Sequence, residues 1–133
     1  VSTVDIGTAF GGRDGAGALT VDGPGSVMQI GDGSGEFVSL RIGRAVAFNG
    51  EGPPIGSTGS LTISDAGLVE VIGTAQPVTF VGFHNINTGL IPRGTATGSL
   101  TVTTGGQFFT NGELAVGARG ATGTLNISNG GVV

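Results

Sequence analysis

The chain has 133 residues, 29 of them glycine, and it contains no cysteine, tryptophan or tyrosine. Charged residues make up 11% and the formal net charge is −4, so there is no basic patch for a nucleic acid and no thiolate set for a metal or a disulfide. A hydrophobic share of 38% is too high for a disordered linker, and the apolar stretches are too short to insert into a membrane.

In chain order, each of four repeats begins with a short strand, here called strand A, that runs into a glycine at position 7, 43, 82 or 117. Apolar residues alternate in it with period two and therefore face one side. These inward pairs are Val4 and Ile6, Leu40 and Ile42, Thr79 and Val81, and Leu114 and Val116. Their identical placement predicts that like strands occupy like positions in the fold.

The second element of each repeat, strand B, has the phrase Gly-x-Leu-x-Val or Ile. Its leucines are Leu19, Leu61, Leu100 and Leu125, and its outward residues are Thr20, Thr62, Thr101 and Asn126. A glycine stands six residues after each leucine, at Gly25, Gly67, Gly106 and Gly131. The third element, strand C, follows that glycine, and we expect its inward residues to be Val27, Val69, Phe108 and Val133.

Self-similarity in a fixed order predicts an all-β solenoid in which each repeat stacks on the next. We expect a single segment over residues 1–133, with repeats at approximately 1–36, 37–75, 76–110 and 111–133 and about four coils of three short strands. Two other arrangements stay open. The spacing of Leu19, Leu40, Leu61, Phe80 and Leu100 also suits two coils per repeat, with A stacked on B. Short, regularly spaced strands also suit an antiparallel sandwich.

The last two repeats carry a resemblance to a known family. Residues 112–117, Gly-Glu-Leu-Ala-Val-Gly, and residues 123–132, Gly-Thr-Leu-Asn-Ile-Ser-Asn-Gly-Gly-Val, resemble the repeat of autotransporter passenger domains. The same repeat occurs in surface proteins with a C-terminal sorting tail. The resemblance implies a right-handed parallel β-helix with variable corner loops, exported and displayed at the bacterial cell surface. It implies no single activity.

No catalytic, cofactor-binding or metal-binding residue is predicted, and we expect the chain not to be an enzyme. His84 is the only histidine, which gives no zinc set or catalytic triad. Four acids lie among glycines in the first repeat, but without the tandem motif of calcium-binding β-rolls we expect solvated turn carboxylates. They are Asp14, Asp22, Asp32 and Glu36. No paired carboxylates stack as a glycosidase requires.

Three surface features remain as candidates for contacts. The outward threonines give an incomplete column, more typical of a β-propensity ladder than of an ice-binding face. Phe80 is expected on the outward side beside Arg41, whereas Phe108 is expected in the core; Phe83 and Phe109 complete the candidate aromatic patch. The connections at residues 43–59 and 82–98 are the longest, and we expect them to protrude on one side and carry partner contacts.

Together with the location that the resemblance implies, the repeats and the variable loops predict an extracellular structural or adhesive rod, or a self-assembling filament subunit that stacks end to end. Neither terminal strand phrase contains a lysine or proline, so we expect both ends to contact other copies or flanking coils of a longer chain. Glycans or a host surface are further possible partners; nucleic acid and membrane are not expected. The alternative is a carbohydrate-binding or polysaccharide-active β-helix module.

Overall fold

The computed structural model describes residues 2–10, 14–47, 56–86 and 95–133. Within these ranges the regular elements are all strands: β1 (Ser2–Phe10), β2 (Gly15–Asp22), β3 (Val27–Ile30), β4 (Val38–Ala47), β5 (Gly56–Ser64), β6 (Leu68–Val71), β7 (Val78–Ile86), β8 (Thr95–Val102), β9 (Gln107–Thr110), β10 (Glu113–Ala118) and β11 (Thr122–Ile127). The chain is therefore all-β over the described residues, as the repeats predict.

The strands form three parallel sheets, and strands three apart in chain order are neighbours. Sheet 1 has the order β1-β4-β7-β10, sheet 2 has β2-β5-β8-β11, and sheet 3 has β3-β6-β9. The pairing also defines layers: β1–β3, β4–β6, β7–β9, and a last layer of β10, β11 and an isolated bridge at Val132. Because every pair between these strands is parallel and strand A pairs only with strand A, both the antiparallel sandwich and the A-on-B stacking are wrong.

The register of sheet 2 confirms the predicted leucine column. Leu19 pairs with Leu61, Leu61 with Leu100, and Leu100 with Leu125. Leu61 and Leu100 are fully buried, while Leu19 and Leu125 at the two ends are partly buried. In sheet 1 the predicted inward pairs align in the same way. Burial of these branched side chains between the three sheets supplies the main hydrophobic core.

In the first repeat, the predicted inward residue of strand C is wrong by one position. Val27 pairs with Leu68 and is 57% exposed, whereas Met28 pairs with Val69 and packs on the core. The cause is one extra residue in the turn after β2, where Asp22-Gly23-Pro24-Gly25 is followed by Ser26. Consequently the carbonyl of Ser26, and not that of Gly25, accepts a hydrogen bond from Leu68 N in the next layer. One layer later, the carbonyl of Gly67 accepts the equivalent bond from Gln107 N.

Sheets 1 and 2 touch backbone to backbone along a row of glycines, here called the glycine seam. At Gly7, Gly43 and Gly82 the φ angles are 67°, 68° and 75°, and an added Cβ would overlap the carbonyl oxygen of Thr58, Thr97 or Thr122 of the next layer. No side chain fits at such an approach. The seam separates the main core from a smaller buried group that includes Ala9, Ala45, Ser57, His84 and Ala96.

Candidate functional site

The last layer exposes the side chains that earlier layers bury. Val116 is 41% exposed and Ile127 is 50% exposed, although their in-register counterparts Val81 and Val102 are fully buried. Val133, one residue after the bridge of Val132 to the exposed Gln107, corresponds to the buried Phe108 and extends this surface. We call Leu114, Val116, Leu125, Ile127 and Val133 the end surface. It joins an apolar face to the outer edges of β10 and β11, whose described neighbours lie on one side only.

The glycine seam explains why the end surface is open. Gly59 of β5 lies against both Ile6 of β1 and Gly43 of β4, so β5 supports two successive strands of sheet 1. Gly123 repeats this contact with Val81 and Gly117. A Cβ added at Gly117 would meet only atoms of its own layer, Ala121 O at 3.2 Å and Gly123 N at 3.4 Å. Strand β10 therefore lacks, among the described residues, the next-layer strand of sheet 2 that β1, β4 and β7 contact at their seam glycines.

A second candidate lies on the outer face of sheet 1, and we call it the arginine–phenylalanine patch. Its members are Asp5, Thr8, Arg41, Arg44, Phe80 and Phe83. Asp5, Arg41 and Phe80 are in register on successive strands, as are Thr8, Arg44 and Phe83. The seam glycine bends each strand between the two rows, which lets residues three apart meet on one face: Arg44 Nη1 donates to Asp5 Oδ2 at 3.2 Å.

The aromatic part of the patch is stacked. The ring centroids of Phe80 and Phe83 are 4.1 Å apart with an interplanar angle of 17°, and Arg119 Cζ lies 5.4 Å from the Phe83 centroid, within cation–π range. Phe80 is outward beside Arg41, as predicted. Phe108 is buried, as predicted, while Phe109 on the other side of β9 is exposed. The four phenylalanines therefore do not form a single patch.

The charges of the patch are unbalanced. Asp5 is 3.2 Å from Arg44 and 3.7 Å from Arg41, so one carboxylate faces two guanidinium groups. Burial lowers the pKa of Arg41 below its ordinary value, and the neighbouring charge of Arg44 lowers it further, while Asp5 opposes both. Arg44 Nε and Thr8 Oγ1 are buried and find no hydrogen-bond partner among the described residues. The patch is thus cationic within an acidic chain.

His84 lies in strand β7 on the far side of the glycine seam and is buried. Its neighbour in register is Ala45, and neither ring nitrogen has a hydrogen-bond partner in the part of the chain that the structure describes. Within that same part, no three histidine, aspartate or glutamate side chains come together as a metal site requires. No acid–base partner for His84 lies among residues 2–10, 14–47, 56–86 and 95–133.

The four acids of the first repeat lie at separate turns. Asp22 accepts a hydrogen bond from Ser64 Oγ, Glu36 accepts one from Ser2 Oγ at 2.8 Å, and Asp14 is exposed. Asp32 accepts the backbone N–H of Ser34 at 2.8 Å. Hydrogen bonding from the Ser34 side chain and backbone holds the pKa of Asp32 below its ordinary value.

The remaining predicted features divide between the described and undescribed parts of the chain. The outward column of Thr20, Thr62, Thr101 and Asn126 is in register across sheet 2. The prediction that residues 43–59 and 82–98 protrude is wrong for their flanks, which are strand: 43–47 end β4, 56–59 begin β5, 82–86 end β7 and 95–98 begin β8. The centres of the two connections, residues 48–55 and 87–94, lie outside the described residues.

A groove of about 620 Å³, which the sequence did not indicate, lies where the long turn after β6 passes the short turn after β9. The Asn111 side chain closes one side of this groove: its Oδ1 accepts a hydrogen bond from Gly73 N at 3.1 Å, and its Nδ2 donates to Gly73 O at 2.9 Å. The unequal lengths of the two turns are the signal that would have located it.

The described part of the chain holds no helix with the length and apolar character that a membrane crossing requires. Comparison with known proteins finds no matching family model, no similar curated protein and no similar solved structure.

Proposed function

We propose that this chain is an extracellular structural and adhesive segment of the bacterial cell surface, wound as a right-handed parallel β-helix of about four coils. The strand order supports the winding, because the chain visits sheets 1, 2 and 3 in turn and then returns to sheet 1 beside its earlier strand. Connections between parallel strands of one sheet are right-handed in about 98% of cases. The absence of cysteine suits a chain that is exported before it folds.

The observation that carries the proposal is the end surface. Five apolar side chains and the edges of two parallel strands lie where a further coil would continue the stack. Unpaired strand edges template the addition of another strand, and soluble solenoids normally cover such ends with polar caps. An assembly role through this end accounts for apolar residues that a monomeric surface would not require.

The first layer of a second copy has the complementary pattern. With β1 placed on β10 in the register of sheet 1, Val4 would lie over Leu114 and Ile6 over Val116. With β2 placed on β11, Leu19 would lie over Leu125. Ala16 stands in the same column as Thr58, Thr97 and Thr122, so its carbonyl would meet Gly117 as the threonine carbonyls meet the other seam glycines. A flanking coil of a longer chain would use the same contacts.

Sedimentation velocity of the 133-residue chain at rising concentration tests the self-stacking form of this proposal. We expect a concentration-dependent series of rods. Gly117→Ala should weaken the series at least about tenfold, because the new Cβ occupies the site of the incoming carbonyl. Gly120→Ala is the matched control, since Gly120 also has positive φ, 78°, but nothing lies within 4 Å of its added Cβ. A monomer at all concentrations, or equal effects of both substitutions, would overturn self-stacking.

Carbohydrate binding is a second candidate function, favoured by the cationic and aromatic patch on sheet 1. We propose no catalytic role for it. A glycan-cleavage assay on pectate and similar polysaccharides separates binding from turnover, and released reducing ends would contradict a purely structural or binding module.

A further inference from the structure

The arginine–phenylalanine patch is the most concentrated positive charge among the described residues. Three of the five arginines of the chain, Arg41, Arg44 and Arg119, lie in or beside it. The chain as a whole has a net charge of −4. Asp5 forms ion pairs with both Arg41 and Arg44, so within this patch two guanidinium groups face one carboxylate.

The two guanidinium groups are placed to share one anion. Strands β1, β4 and β7 run side by side about 4.8 Å apart, so Asp5, Arg41 and Phe80 are neighbours within one row across the sheet. Arg41 and Arg44 belong to the same strand and converge on the two oxygens of Asp5. Their side chains remain 18% and 16% exposed, so solvent reaches part of each. Arginine is always protonated and its fork of donors matches a carboxylate.

The next strand adds an apolar platform beside the cations. Phe80 is in register with Arg41 and half-buried, and the Phe83 ring stacks against one face of the Phe80 ring. Binding sites for small polar ligands combine aromatic surface with a few convergent charged groups. A sugar ring that bears a carboxylate has both parts: its C–H face packs on an aromatic ring, and its carboxylate accepts from guanidinium.

We propose that the arginine–phenylalanine patch binds the carboxylate of an acidic saccharide, with Arg41 and Arg44 holding the carboxylate and Phe80 supporting the sugar ring. This inference rests on the second candidate function, carbohydrate binding, and concerns a side of the chain, whereas end-to-end stacking concerns its last layer, so saccharide binding and stacking can fail independently. A nucleic acid fits less well, because tight binding to a polyanion needs a run of phosphate contacts and the described surface offers one short cationic patch.

Isothermal titration with an oligogalacturonate measures the proposed contact, and the methyl ester of the same oligomer is the neutral control ligand. We expect the acid to bind and the ester to bind at least about tenfold more weakly, because the charge-assisted hydrogen bonds are lost. Arg41→Gln with Arg44→Gln should bring the affinity for the acid down to that for the ester. Thermal melting of each variant shows whether it is folded.

Two isosteric substitutions separate a local site from general electrostatic attraction. Asp5→Asn removes the competing carboxylate and should raise the affinity for the oligogalacturonate several-fold. Asp65→Asn makes the same change of net charge at an exposed turn and should leave the affinity unchanged. Equal binding of acid and ester, equal effects of the two asparagine variants, or full binding by the double glutamine variant would overturn the proposal. Stronger binding of single-stranded DNA than of oligogalacturonate would also overturn it.

Discussion

The first and last layers use nearly the same residues but differ sharply in burial. Ile6 and Val21 in the first layer are 6% and 8% exposed, whereas Val116 and Ile127, at the same places in the last layer, are about half exposed. The reason is the offset at the glycine seam: Ile6 of β1 lies against Gly59 of the second layer, while a Cβ added at Gly117 of β10 would meet only Ala121 and Gly123 of its own layer. Burial in this fold thus depends on the next layer more than on the residue itself.

The largest expected effect compares the same substitution in an inner layer and in the last one. Gly43→Ala should destabilise the chain by about 4 kcal/mol, because strain at positive φ adds to overlap with the Thr97 carbonyl. Gly117→Ala, at a similar φ, should cost only about 1–2 kcal/mol. Urea unfolding at low protein concentration measures the free energy of unfolding of both variants. Equal losses would contradict the close contact assigned to the inner glycines of the seam.

Truncation of the leucine column should give the next largest difference. Leu61→Ala removes a fully buried side chain and should cost about 3 kcal/mol. Leu125→Ala, at the partly buried end of the same column, should cost about 1 kcal/mol. Chemical denaturation of the two variants measures the difference. If Leu125→Ala cost as much as Leu61→Ala in the monomer, the last layer would be as well covered as the others.

The smallest expected effect concerns the polar turn of the first layer. The folded pKa of Asp32 lies below its unfolded value of 3.8, so its stabilising contribution is fully present above that unfolded value and is lost as the pH falls through the folded pKa. Asp32→Ala should therefore lower stability slightly at pH 7 and have less effect near pH 2. An effect that grew as the pH fell would contradict this assignment. Melting curves across this range provide the measurement.

The sequence was sufficient for the strands and for the register of sheets 1 and 2, because Leu19 and its three equivalents occupy identical places in each repeat. It failed at Val27, where one extra turn residue moved Met28 into the core. Which residues of a strand face the core depends on the length of the preceding turn, and the repeated phrases do not reveal that length. The sequence also placed Phe80 beside Arg41 correctly.

The convergence of Arg44 on Asp5 could not be predicted from alternation alone. The bend at Gly43 brings together two residues that alternation would place on opposite faces. The burial of His84 beyond the glycine seam was missed for the same reason, since alternation does not reveal that the seam separates a second, smaller group of buried residues from the main core.

Directed cross-linking tests the end-to-end register most directly, since the natural chain has no cysteine to interfere. Thr20 and Asn126 are outward residues of the same column in the first and last layers. In the proposed stack they would lie on adjacent strands about 4.8 Å apart, within the Cα separation that a disulfide accepts. A mixture of Thr20→Cys and Asn126→Cys chains should oxidise to a mixed dimer, while each variant alone stays uncross-linked. Dimers of one variant alone, or no mixed dimer at concentrations where rods form, would contradict head-to-tail stacking.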